Sequence, residues 1–176
     1  LLFGMPVLAA EAVLPAAYFR QLEAGSDKVE ARLNAEPGAD LKKLEAQNGW
    51  RHFGYAILAP AVLYSKKHAS NTRYRDARMR ELAFRIGDLL ADEDEKGVYE
   101  PRLDSDWDTY MWLEAYRLLD AELGDSRRAR WRQRIEANIA LVEKDAADRV
   151  DFPWYASPFI GTSPNHYAQW AANLYL

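Results

Sequence analysis

What most constrains this chain is an alternation between two kinds of helical segment. Residues 50–64 are aromatic and apolar on nearly every side, whereas residues 74–91 set arginines and acids around Ala77, Leu82, Phe84, Ile86, Leu89 and Leu90. The pair then recurs. Residues 106–119 form a second aromatic segment, and residues 126–149 a long charged one whose apolar stripe carries Trp131, Ile135, Ile139 and Val142. A helix with almost no polar surface is buried, and one with a single apolar stripe keeps its other faces in water. The expected burial is therefore Tyr55, Ile57, Trp112, Leu113 and Tyr116 inside, with the charged faces of 74–91 and 126–149 outside. No run of alternating β-branched residues is long enough for a sheet to be the main element.

The rest of the chain fits this all-α scheme. Residues 14–24 and 27–35 read as two short helices, the second capped by Ser26, and Asp40 can cap another through Gln47. Pro60 is expected to kink the first aromatic helix, Asp92-Glu-Asp-Glu95 to end the helix before it, and His68 to sit near a helix C-terminus as a dipole partner. The aromatic helices start near Trp50, Asp106 and Asn165, a loose period in the high fifties. That is longer than the ~34 residues of tetratricopeptide repeats or the ~40–47 of HEAT repeats. Hairpins of this size, apolar in the first member and polar in the second, are what an (α/α) toroid needs.

Composition narrows the function classes. The 176 residues carry 23 Lys+Arg against 27 Asp+Glu, a net charge of −4, with no basic excess to attract nucleic acid. Cysteine is absent, which removes disulfides and thiolate metal sites. Residues 1–12 are apolar, too short to span a bilayer, and end in Ala10-Glu11-Ala12. They read as the end of a secretory signal peptide cleaved after Ala12, and a buried first helix is the other reading. The remainder, 13–176, reads as one domain that stops within an apolar helix pattern at Leu176, as an N-terminal part of a longer chain would.

The richest stretch for chemistry is Gly161-Thr-Ser-Pro-Asn-His-Tyr167. Pro164 pushes Ser163 away from helical geometry, so a helix starting here carries Asn165, His166 and Tyr167 in its first turn, beside unpaired backbone N–H groups. An amide, an imidazole and a phenol can neutralise a carboxylate, accept a proton and return one. A helix start with an ordinary partnered histidine fits the same residues. Arg51 and His52 occupy the corresponding start of the first aromatic helix, suited to an anionic sugar or to pairing with an acid. At the second start, Asp104, Asp106 and Asp108 are caps or carboxylates for chemistry, and Trp107, Tyr110 and Trp112 are core or a sugar-stacking surface.

Residues 104–119, Asp-Ser-Asp-Trp-Asp-Thr-Tyr-Met-Trp-Leu-Glu-Ala-Tyr-Arg-Leu-Leu, together with Ser163-Pro-Asn-His-Tyr167, resemble the N-terminal toroid of heparinase II/III-like and alginate-lyase-like polysaccharide lyases. The resemblance spans roughly residues 50–176, and its most telling motif is the adjacent Asn-His. It implies β-elimination on a uronate polymer, with Asn165 and His166 at the substrate carboxylate. Tyr167, Trp107, Asp108, Tyr110, Arg51 and His52 are the candidate substrate contacts that the residue types themselves offer. Residues 1–12 add an expectation of export to the periplasm or beyond, and no cofactor is expected in this part of the chain. The resemblance further implies a tyrosine acid/base and a β-rich domain, often with a structural metal, beyond Leu176. A hydrolase using Asp106 or Asp108, or a helical glycan-binding scaffold, would suit the same fold.

Overall fold

The computed structural model describes residues 7–40, 43–44, 53–95 and 106–148. Among them every regular element is helical: α1 (Val7–Ala35), a 3-10 turn (Phe53–Ile57) running into α2 (Leu58–Ser65), α3 (Ala77–Glu95), α4 (Asp106–Leu119), a short 3-10 turn (Asp120–Glu122) and α5 (Asp125–Asp148).

The elements form two rows. The charged helices α1, α3 and α5 make one, and the aromatic 3-10/α2 segment and α4 make the other, each aromatic element packing on its charged neighbours. Side-chain contacts fix the directions. The Ser65 hydroxyl donates to the Leu118 carbonyl at 3.0 Å, so the C-terminal ends of α2 and α4 lie side by side and the two run parallel. Glu23 meets Thr72, Asp27 and Glu30 meet Arg78, and Asn34 meets Arg85, so α1 runs parallel to α3. Glu122, just before α5, reaches Arg75 and Arg80 at the start of α3, so α3 and α5 set out from the same end. The two rows therefore run in opposite directions.

Local chemistry explains the boundaries. Pro60 falls in the first turn of α2, where its missing N–H has no helical partner to lose, so a 3-10 turn precedes it in place of the expected kink in one long helix. Past α2, the buried Asn71 closes the turn: its amide donates to the Leu63 and Lys66 carbonyls at 2.7 Å each and its oxygen accepts from Arg73 N–H at 3.0 Å. Arg75 takes a left-handed φ of 60°, held by its N–H on the Tyr64 carbonyl at 2.9 Å. Asp76 then caps α3 by accepting the Arg78 N–H at 2.9 Å, so α3 starts at Ala77 and not at Tyr74. It also runs through the acidic residues to Glu95, because Leu90, Ala91 and Glu93 are buried and keep its last turns docked.

Several expectations are corrected. Residues 14–35 form a single helix that crosses Ser26, which is buried mid-helix and caps nothing. Ile57, Trp112 and Leu113 are buried as expected, but Tyr55 is 36% exposed and Tyr116 only half-buried. A phenol at such a position can bury its ring edge and keep its hydroxyl wet. His68 lies three residues beyond α2, where its Nδ1 accepts the Ser70 N–H at 3.0 Å and its ring lies 5.4 Å from Phe19.

The core joins both rows, with Ile57, Leu63, Leu82, Ile86, Leu90, Leu119, Trp112 and Trp131 almost wholly enclosed. Trp131 of α5 lies directly against Gly87 of α3, where a Cβ would overlap the six-membered part of the indole. Gly87→Ala is expected to destabilise by about 1–3 kcal/mol, the usual range for overpacking a filled core. Gly25→Ala, helical with open space around it, should be neutral or stabilise by up to ~1 kcal/mol. Urea midpoints of the two variants check this, and equal midpoints would mean that the indole yields without strain.

Candidate functional site

Because the 3-10/α2 segment and α4 run parallel, their starts lie at one end of the aromatic row, and the turns around Asn71 and Glu122 lie at the other. Trp107, Asp108 and Tyr110 stand in the first turns of α4, with Tyr110 half-buried, and Asp106 is its first residue. Arg51, His52, Asp104, Asn165, His166 and Tyr167 lie outside the described residues.

Around the α4 start the buried polar groups are unusual. Thr109 and Trp112, one turn apart on α4, are both fully buried, and neither the Thr109 hydroxyl nor the Trp112 indole N–H has a hydrogen-bond partner. Asn138, two turns beyond Trp131 on α5, is 1% exposed, and its Nδ2 likewise has none. Buried donors are almost always satisfied, and one left alone costs about 1–3 kcal/mol. Trp112 is packed as core, its ring 6.0 Å from that of Trp131, and so is not a sugar-stacking surface in this conformation.

Two further clusters carried no sequence signal beyond their residue types. In the first, Asp88 accepts the Trp131 indole N–H at 2.9 Å and grips Arg127 through both oxygens at 3.0–3.1 Å, while the Arg127 guanidinium lies 4.3 Å from the centre of the Phe84 ring. A shallow depression of about 430 Å³ opens beside it, lined by Asp88, Gly124, Asp125, Ser126, Arg127 and Arg130. Its arginines are already neutralised, Arg127 by Asp88 and Arg130 by Asp92, so the hollow has no surplus positive charge for an anion.

In the second cluster Arg75 bonds the Tyr64 hydroxyl at 3.2 Å, pairs with Glu122, and lies 5.1 and 5.6 Å from the centres of the Tyr64 and Tyr74 rings. Its pKa is raised above the ordinary arginine value, first by the hydrogen bond with Tyr64, then by those with Tyr74 and Glu122. A guanidinium held this way is a permanent cation, unfit for proton transfer and suited to fastening the turn. Among the described residues no group of three or more His, Asp or Glu could hold a metal ion, and no helix is long and apolar enough to cross a membrane.

Comparison of the chain with protein families, with curated proteins and with solved structures gives no match.

Asp88→Ala would leave the Trp131 indole N–H buried without an acceptor. The Asp88 and Arg127 side chains are each about one-third exposed, so their ion pair contributes little after solvent screening, and the loss falls mainly on the indole. The expected destabilisation is about 1–3 kcal/mol by urea unfolding. Asp92→Ala, which removes only a surface pair, should change stability by less than ~1 kcal/mol.

Proposed function

We propose that this chain supplies part of the catalytic domain of an exported polysaccharide lyase, an (α/α) toroid that cleaves a uronic-acid polymer by β-elimination. The observation that supports the reading best is the parallel aromatic row: a further helix starting at Asn165 in the same direction would bring its first turn to the end where α4 and the 3-10 turn begin. Arg51, His52, Asp108, Asn165 and His166 would then share one cleft mouth, with Tyr110 at its wall.

The chemistry needs little more than such a mouth. A base takes the proton from C5 of the uronate, the electron pair forms the C4–C5 double bond, and the C4–O4 bond breaks as the leaving oxygen acquires a proton. The carboxylate makes C5–H weakly acidic until its charge is neutralised, and a preorganised amide donor from Asn165 meets that demand. His166 can serve as base when unprotonated, or as a second donor to the carboxylate. Arg51 would hold a neighbouring anionic residue of the polymer in register. Tyr167 and Tyr110 offer the faces that sugar rings stack on.

On a panel of uronate polymers the protein should generate products with the ultraviolet absorbance of an unsaturated uronate. Asn165→Ala should lower turnover by ~10²–10³-fold, as loss of one oxyanion donor does elsewhere, and His166→Ala at least as much, with melting temperatures close to the parent's. New reducing ends without ultraviolet absorbance, abolished by Asp106→Asn or Asp108→Asn, would replace elimination by hydrolysis. Stable Asn165 and His166 variants with parental rates would remove both residues from the mechanism.

A further inference from the structure

Helix α1 meets the rest of the bundle along one narrow stripe. Phe19, Leu22, Ser26, Val29 and Leu33 recur every three or four residues, and of the apolar four Phe19, Val29 and Leu33 are buried, though each keeps 7–8% of its surface exposed. At the centre of the stripe stands Ser26, 0% exposed, its hydroxyl without a partner. A buried hydroxyl in that state weakens docking where an alanine would not. Earlier on the same helix Leu14 is 73% and Tyr18 55% exposed.

Polar links along the edge compensate. Glu23 accepts from the Thr72 hydroxyl and lies 3.8 Å from the Arg73 guanidinium. Asp27 and Glu30 both bind Arg78, at 2.7 Å each, and Asn34 accepts from Arg85 at 2.8 Å. Asp27, Asn34 and Thr72 stand at the surface and Arg78 is 39% exposed, while Glu23 and Glu30 keep about one-fifth of their side chains in water, so the links are individually weak and screened by salt. The contact between α3 and α5 has the opposite construction, since its ion pairs lie beside a wholly buried Trp131.

We propose that α1 is an electrostatically latched strap, which leaves α2 and α3 as a unit while α2 to α5 stay folded, with ionic strength setting how often it does so. Release uncovers the apolar face under Phe19, Val29 and Leu33, including the ring of His68 on which Phe19 rests. The inference depends on the α1 interface alone and stands apart from the proposed activity.

Hydrogen exchange of the full chain, read by mass spectrometry at low salt and at about 1 M sodium chloride, tests it. Peptides from residues 14–35 should exchange roughly tenfold faster at high salt, as three or four screened surface links imply, while those from 112–119 and 127–135 keep their rates. The double variant Asp27→Asn with Glu30→Gln should show the high-salt rate at low salt. Ser26→Ala should slow α1 exchange at both salts. Exchange of α1, α4 and α5 accelerating together, an α1 rate indifferent to salt, or a Ser26→Ala variant with a looser α1 would each overturn the proposal.

Discussion

The contact on which the arrangement of helices depends is the Trp131 indole seated on Gly87. Only a residue without a Cβ lets α5 approach α3 this closely, and the close approach puts the indole N–H within 2.9 Å of Asp88. The ring then has Phe84 on one edge at 6.2 Å and Trp112 of the aromatic row on another at 6.0 Å, both T-shaped. One side chain therefore joins three helices by apolar burial, edge-to-face geometry and a hydrogen bond to a carboxylate. Asp88 is held for its task by Arg127, whose guanidinium covers Phe84. The polar and apolar parts of this contact thus reinforce one another.

Away from that contact the two rows cohere by different means. The aromatic row is enclosed by aliphatic and aromatic packing, whereas neighbours in the charged row are linked largely by arginines reaching across to acids: Arg78 to α1, Arg127 and Arg130 of α5 to Asp88 and Asp92 of α3. Arginine suits the role because its planar fork binds a carboxylate through two nitrogens and its face stacks on a ring. Where an indole backs the links, they orient a contact that burial already stabilises. Where Ser26 interrupts the apolar stripe of Phe19, Val29 and Leu33, they add to a contact that carries a buried hydroxyl without a partner.

Alternation of aromatic and charged segments made the helical class and the span of α4 legible, because residues 106–119 have a complete amphipathic pattern with a turn after it. Boundaries governed by a single tertiary contact were not. Gly25-Ser26 looks like a break and cap, yet the stripe from Phe19 to Leu33 needs a continuous helix to stay on one face. The start of α3 is set by Asn71 binding two carbonyls and by the left-handed Arg75, and no periodicity reports either. Tyr55 and Trp112 show the limit for aromatics: residue type makes both look like core, and only the packed neighbours decide which is enclosed. Of the candidate site, the first turns of α4 are in view, while Asn165 and His166 fall outside the described residues.

The two ends of the aromatic row differ in how their polar groups are used. At the end where α2 and α4 finish, Asn71, Ser65 and Arg75 each spend their hydrogen bonds on carbonyls, a phenol or a carboxylate, which leaves little capacity for a ligand. Toward the opposite end the balance is reversed: Thr109 and Asn138 carry buried donors without partners, although burying such groups is unfavourable. The first-turn acids of α4, Asp106 and Asp108, and its half-buried Tyr110 stand at the same end. Closed hydrogen bonds thus mark one end of the aromatic row, and buried donors without partners lie toward the other.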